Sequence, residues 1–412
     1  MNCRHCKSPL KHTFLDLGFA PPSNAYLTEA DLNKPEIYYP LKVKVCDSCW
    51  LVQTEDYAEA DALFTADYAY FSSTSESWME HARRYFAQVA KELRLNKDSF
   101  VVEIASNDGY LLKNFLHAGI PCLGIEPTSS TAAAAEKLGI PVLREFFGEA
   151  LGERLALDGK QADLIIGNNV YAHVPDINDF TMGLKAVLRR GGTITLEFPH
   201  VMQLIEHAQF DTVYHEHFSY LSLYTVSRIF ATAGLRIWKV EELSTHGGSL
   251  RVFGCHQEDS RETQPSVSAI LEEEAVHGLQ ELQTYLTFQT RADKIKDDLL
   301  TFLVEQKRAG KTVAAYGAAA KGNTLLNYAG IKPDLLPFVC DAAKAKQGHY
   351  MPGSHIPILA PERLVSAKPN FILILPWNIA EEVMQQNAHI TEQGGNFVTA
   401  IPSVKVRECG FC

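Results

Sequence analysis

No stretch of this sequence is long and apolar enough to cross a bilayer. Runs such as Phe371–Leu375 stop far short of the ~20 residues a spanning helix needs. The opening MNCRHCKSPL holds neither an apolar run nor an Arg-rich amphipathic pattern, so no secretory or organellar leader is expected. Basic side chains are the minority, 38 against 49 acidic, for a formal charge of −11. That balance disfavours nucleic acid or an anionic membrane as partner, because polyanions are bound by clustered Lys and Arg. Internal repeats and low-complexity tracts are also missing. A hydrophobic content of 46% with 21% charged residues excludes global disorder. What remains is a 412-residue chain of ordinary globular composition, long enough for roughly two to four domains.

The nine cysteines are an odd number and unevenly spread. Four form two CxxC pairs, Cys3 with Cys6 and Cys46 with Cys49, separated by 39 residues. The reducing cytoplasm is the expected compartment, and there such pairs read as metal ligands rather than disulfides. Each CxxC turn supplies two corners of a tetrahedral thiolate site, which suits a closed, structural Zn2+. The surrounding module, residues 1–75, carries six basic and ten acidic side chains and the turn-rich stretch Ala20–Ala25. Such a segment has a poor core of its own, so metal is expected to add folding energy. His5, inside the first knuckle, is a weaker candidate ligand. A third CxxC, Cys409 with Cys412, sits at a fraying end and reads as incidental.

Residues 76–260 alternate between helix and strand. Trp78, Tyr85, Phe86, Val89 and Leu93 recur at helical spacing. Short apolar strands follow at Phe100–Ile104, Cys122–Ile125, Leu164–Ile166, Thr193–Phe198, Arg236–Val240 and Leu250–Phe253. Strands separated by helices predict an α/β fold with a doubly wound parallel sheet. The last two strands leave no room for a helix and should pair antiparallel at one edge. Residues 261–310 read as a long helical connector, with Leu279, Leu282, Leu286, Ile295, Leu299 and Leu303 at i+3/i+4 spacing and Gly310 as C-cap. A second α/β unit, 311–412, opens with strand Thr312–Ala315 and the loop Gly317–Gly322. Neither α/β unit carries GxGxxG.

Polar residues mark the strand ends where an open α/β sheet binds its ligand. Glu103 precedes the loop Ala105–Gly109, Glu126 ends the next strand, and Asn168 and Asn169 end the third. Tyr214-His215-Glu216-His217 follows Thr193–Phe198 by a short excursion and should overhang that edge. An imidazole beside a carboxylate is a candidate general base, the acid fixing tautomer and orientation. A tyrosine hydroxyl can steady a developing oxyanion. His215 stays open as a contributor. In the second unit the strand, small-residue loop and helix order suits phosphate, with Lys321 at the helix start and Lys346 and His349 beyond the next strand.

The EIASNDG loop after the first strand, Glu126 in GIEP and the paired asparagines resemble the class I S-adenosylmethionine-dependent methyltransferases, with the usual ExGxG replaced. That resemblance implies S-adenosylmethionine as cofactor. Glu103, Ser106, Asn107, Asp108 and Gly109 would lie by its amino-acid end and Glu126 at its ribose. Phe146 or Phe147 would cover the adenine, and Asn168 and Asn169 would line the methionine side. More of the chain follows in order: the four-cysteine module, NNVYAHVPD, YHEHFSYLS, HGGSLR and the C-terminal unit. Together these resemble the sugar C-methyltransferases, which act on nucleotide-linked 4-keto deoxysugars. By that resemblance the C-terminal unit is a Rossmann-like domain binding a nucleotide-diphosphate 4-keto-deoxysugar, with a thymidine carrier and C-3 as the methylated carbon. His217 is then the base, with Glu216 orienting or assisting it. Tyr214, His173 and Tyr70 line the sugar site, and Lys321, Lys346 and His349 contact the diphosphate. A zinc-containing nucleic-acid methyltransferase and a non-catalytic binding protein are the rival readings. No sequence pattern specifies an oligomeric state.

Overall fold

The computed structural model describes residues 1–55, 72–74, 76–392 and 394–407. Tyr70, Cys409 and Cys412 lie outside the described residues. The N-terminal module is an antiparallel sheet of His12–Ala20, Tyr39–Val45, Val52–Thr54 and Ser219–Tyr220, in that order. Its second strand alternates strictly: Leu41, Val43 and Val45 are buried while Lys42 and Lys44 are not, as a half-buried strand requires. The fourth strand is borrowed from far along the chain, directly after Tyr214–His217. The two-residue segment carries no periodicity, so nothing in the sequence announced it.

The central sheet has seven strands. Its order is Leu235–Leu243, Ser249–His256, Leu188–Pro199, Ala162–Asn168, Val101–Ile104, Cys122–Ile125, Val142–Leu143. The first two form the antiparallel edge pair expected from their spacing, and the other five are parallel among themselves. Val102 pairs with Leu123 on one side and Ile165 on the other. Strand order reverses between Val101–Ile104 and Ala162–Asn168. The loops leaving those two strands diverge there and open a crevice above their C-terminal ends.

The C-terminal sheet runs Ile358–Leu359, Val339–Cys340, Val313–Tyr316, Phe371–Ile374, Asn396–Thr399, Lys405–Arg407, parallel except for the last strand. Its own reversal point is at Val313–Tyr316, where Gly317 (φ +90°) leads into helix Ala320–Tyr328.

The connector is helical as expected, in three pieces, Pro265–Val276, Leu282–Leu286 and Phe288–Arg308, broken at Gly278 (φ +72°). It packs rather than spans. Leu279, Tyr285, Phe288, Ile295 and Leu299 join one buried cluster with Phe14, Leu15 and Val43 of the N-terminal sheet and Val313, Leu325 and Leu373 of the C-terminal unit. Apolar helical periodicity announces a buried face but not what covers it. Among the described residues no helix is long and apolar enough to cross a membrane.

Candidate active site

A cavity of about 610 Å3 opens at the sheet reversal and is bounded by all three parts of the chain. Asn107, Glu126, Phe146, Phe147, Asn168 and Asn169 line its methyltransferase side. The first loop is backbone-strained: Ala105 (φ 56°), Asn107 (φ 50°) and Gly109 (φ 77°) are all left-handed. Such a loop persists only where the surroundings hold it. Here Asn107 N–H donates to Glu126 Oε2 (3.0 Å), and Asn107 Oδ1 and Asp108 Oδ2 accept from the backbone of Ser72 and Ser73. At Gly109 a Cβ would stand 2.5 Å from Ile140 Cδ1, so only glycine closes the turn.

Glu103, Ser106, Asp108 and Gly109 do not line the cavity; they lie buried under the loop. Burial, then the neighbouring Asp108 and Glu126, push the Glu103 carboxyl well above its ordinary range. Glu103 Oε2, Asp108 Oδ1, Asn168 Oδ1 and Asn169 Oδ1 are buried without a hydrogen-bond partner among the described residues. Unpaired buried acceptors are rare, and this set suits a cationic, donor-rich ligand. S-adenosylmethionine, with its ammonium and sulfonium, fits. Glu126 is committed more than expected: its oxygens accept from Asn107 N and Thr128 N, leaving one lone pair on each for a ribose.

Across the cavity stand His173, Tyr214, Glu216 and His217. The His217 ring is 4.0 Å from that of Tyr214 and 4.6 Å from that of His173. One expectation is corrected here: Glu216 does not orient His217. The His217 Nδ1 is 3.0 Å from the Thr212 carbonyl, which can only accept, so Nδ1 bears the hydrogen. Glu216 Oε1 instead accepts from Asn24 Nδ2 (2.7 Å), in the turn-rich stretch of the N-terminal module. His217 N–H donates to the Tyr214 carbonyl (3.0 Å), so Tyr214–His217 is a turn, and Glu216 and His217 take separate partners within it. Burial, then His173, His246 and Lys321 nearby, hold His217 well below its ordinary value. His215 lies outside the cavity lining, with Nε2 3.3 Å from the Pro40 carbonyl. Ser222 caps the next helix, Leu223–Thr232, by accepting from Thr225 N.

Lys321 and Lys346 close the third side. Lys321 Nζ donates to Asn378 Oδ1 (2.7 Å) and lies over the Trp377 ring. Lys346 Nζ donates to the Ala318 carbonyl (2.8 Å). His349 does not line the cavity: its backbone serves the turn that pairs with Ile358.

His246 had no residue-level expectation, yet it lines the cavity with Nε2 3.2 Å from Asn169 Nδ2. It is left-handed (φ 54°) and precedes Gly247 (φ 88°) and Gly248 (φ 116°). A Cβ on Gly247 would collide with Trp377, whose Nε1 donates to the buried Asp211 (2.8 Å). Thr245, beside His246, donates to Glu197 Oε1, while His81 Nε2 and Arg251 Nη2 approach Oε2 at 2.9 and 2.7 Å. Burial pushes Glu197 up, but His81 and Arg251 bring it to about 2. The HGGSLR segment held this signal in its paired glycines. Glu197 looked like any strand residue.

In the zinc module, the four thiols Cys3, Cys6, Cys46 and Cys49 lie within 4.8 Å of one another. Tetrahedral Zn–S bonds of ~2.3 Å place sulfurs about 3.8 Å apart, so the donor set fits. His5 is not part of the sulfur cluster; its Nδ1 pairs with Asn178 Oδ1 at 2.8 Å.

Family models match almost end to end: a zinc binding domain over residues 3–64, a methyltransferase domain over 78–240 and a C-methyltransferase C-terminal domain over 244–402. The C-methyltransferase NovU of Streptomyces niveus is 34% identical over 404 residues, spanning 98% of this chain and 96% of that protein. Among solved structures, magnesium protoporphyrin IX methyltransferase from Synechocystis PCC 6803 with bound SAM is 14% identical, with TM-score 0.34 over 43% of this chain and 79% of that one. PH0226 from Pyrococcus horikoshii OT3 is 12% identical, with TM-score 0.38 over 45% and 94%.

Proposed function

The chain belongs to the C-methyltransferase family, as an S-adenosylmethionine-dependent enzyme with a zinc module, and we propose that its acceptor is a nucleotide-diphosphate 4-keto-deoxysugar, dTDP-linked and methylated at C-3. One observation carries this reading. A single cavity is shared by Asn168 and Asn169, whose side-chain oxygens are orphaned at a sheet end, a neutral histidine cluster and two lysines of the C-terminal unit. Methyl donor, reacting carbon and diphosphate each need one of those environments.

A ketone acidifies the hydrogen on the neighbouring carbon, so C-methylation there needs a neutral base and donors for the enolate oxygen. His217 is such a base: Nδ1–H is committed to Thr212, Nε2 keeps its lone pair, and burial keeps the ring uncharged. His217 removes the C-3 proton, Tyr214 donates to the C-4 oxygen as charge develops on it, and neutral His173 lines the sugar site beside them. Tyr70 belongs to the same group of donors. Glu216, its Oε1 fixed by Asn24, assists from the same cavity wall by offering a carboxylate to the charge that develops there. When bound, S-adenosylmethionine supplies a methyl group on a cationic sulfur, the electrophile a carbon nucleophile requires.

Glu103, Asp108, Asn168 and Asn169 would hold its cationic amino-acid part, Glu126 its ribose and Phe147 its adenine. Lys321 and Lys346 bind the diphosphate. That contact also tunes the base, because the Lys321 charge is one cause of the low His217 basicity. Pairing it with phosphate removes the repulsion, so the acceptor readies its own base. The test is mass spectrometry on S-adenosylmethionine mixed with a panel of nucleotide-linked hexoses. A one-methylene gain on 4-keto sugars alone is expected, and a gain on 4-hydroxy sugars or none on any keto sugar rejects the proposal.

A further inference from the structure

Arg4 stands between the first two zinc thiolates, Cys3 and Cys6, but its side chain bonds outside the metal loop. Nη1 donates to the Pro175 carbonyl (3.0 Å) and Nη2 to the Thr54 carbonyl (3.1 Å). Its guanidinium lies 5.0 Å from the centroid of the Phe218 ring. Pro175 is two residues beyond His173 and lines the cavity. Thr54 N–H donates to the Phe218 carbonyl, and Thr54 Oγ1 to that of His217 (3.3 Å). One planar, buried cation therefore touches both segments that carry the cavity histidines.

The same link runs back to the metal. Arg4 N–H donates to Gln53 Oε1 (2.8 Å), and Gln53 Nε2 donates to Cys3 Sγ (3.3 Å). On the other flank Asn178 bonds the His5 ring and donates to the His5 carbonyl (2.9 Å). Cys3 bonds Gln53, whose chain neighbour Thr54 bonds the His217 carbonyl, and His5 bonds Asn178, three residues beyond Pro175. The four-thiol site lies where both routes begin.

We propose that Arg4 is a positioning residue, and that through it the zinc knuckle sets the separation of His173 and His217 in the methyl-transfer cavity. The module then has a function beyond folding itself. A four-thiolate metal centre fixes the backbone at Arg4, and the rigid guanidinium fork transmits that position to two carbonyls at once. Lysine cannot substitute, because a single ammonium on a flexible stem has no fixed fork. A mispositioned general base is expensive: a shift of about 1 Å can lower a rate by ~10²-fold. The inference rests on the reading of His217 as the base.

The test compares Arg4→Gln, Arg4→Lys, Asn178→Ala and His217→Ala. The measurements are zinc per chain, S-adenosylmethionine affinity, histidine ring NMR shifts, and exchange of the sugar C-3 hydrogen with deuterated water without methyl donor. Arg4→Gln should keep its zinc and its cofactor affinity, move the His173 and His217 ring resonances, and lose exchange by about 10–100-fold. Arg4→Lys should recover only part of the exchange. Exchange in zinc-loaded Arg4→Gln within about threefold of the parent overturns the proposal, because base misplacement predicts more. If Arg4→Gln loses its metal, Asn178→Ala decides with Arg4 intact: slowed exchange with zinc bound supports the proposal, and normal exchange overturns it. His217→Ala separates the two claims. Normal exchange there rejects the base assignment itself. Abolished exchange there, with normal exchange in Arg4→Gln, rejects only the positioning role.

Discussion

Replacing His217 with alanine separates the chemistry from the fold. The imidazole is held by the Thr212 carbonyl at 3.0 Å and by the rings of Tyr214, His173 and Tyr220 at 4.0, 4.6 and 5.9 Å. Alanine strands that carbonyl, which would cost about 1–3 kcal/mol in a dry site. The void opens into the 610 Å3 cavity, so water reaches the carbonyl and the loss falls near the low end, about 1 kcal/mol. Loss of a general base lowers the rate by ~10²–10⁴, or about 3–5 kcal/mol of barrier. The rate effect therefore exceeds any stability effect. S-adenosylmethionine affinity should hold, since its acceptors sit on the opposite wall. Methyl transfer, calorimetry with S-adenosylmethionine and a melting curve on one preparation make the comparison. Turnover within about tenfold of the parent, with cofactor bound, refutes the base assignment, because it falls below the general-base range. The pH dependence has a fixed sign. A neutral base loses activity as pH falls through its pKa, and His217 lies well below 6.5. In kcat/KM, which reports the free enzyme, the acid limb should lie below 6.5; a limb above that value contradicts the assignment.

Three further outcomes are expected. In Lys321→Met the acid limb of kcat/KM moves to higher pH, because a charge that lowers His217 is gone, and the acceptor KM rises about tenfold with the lost phosphate contact; an unmoved limb and KM exclude Lys321 from both effects. Glu103→Gln removes a carboxyl whose charged form is penalised by burial and by Asp108 and Glu126, so the cofactor-free protein should melt higher while binding S-adenosylmethionine about tenfold more weakly; unchanged affinity, by titration calorimetry, removes Glu103 from the cofactor site. Buried His173 and His246 titrate at about 4 in the fold against 6.5 ordinarily. Below pH 6.5 the unfolded chain takes up these protons first, so stability is full above 6.5 and falls from there toward about 4. The fall is at most about 1.4 kcal/mol per pH unit for each ring. Denaturant melts between those limits check it, and His246→Asn should flatten the fall by one ring's share.

The parts of the site legible in the sequence share one property: their signal is local. Two CxxC pairs state their chemistry by spacing alone. Buried parallel strands such as Val101–Ile104 and Phe371–Ile374 are apolar runs because both faces are covered. The turn at Ala105–Gly109 follows its strand directly, so its place at the sheet edge comes with the topology. Periodicity identified the buried stripe of Phe288–Arg308, although its partners stayed hidden.

What only the tertiary structure decided are the contacts between segments far apart in the chain. Ser219–Tyr220 completes a sheet begun at His12. Glu216 answers to Asn24, and His217 to a backbone carbonyl. Glu197, His81, Arg251 and Thr245 meet from four elements to hold a strained turn. Sequence by itself determined the chain's class, its metal donors, the tight loop at the sheet edge and a shortlist of reacting groups, because those depend on residue type and near neighbours. The tertiary fold decided which shortlisted groups share a cavity, which atom bears a proton and which buried charges are paired, because Coulomb and hydrogen-bond energies depend on distances in space that no spacing along the chain encodes.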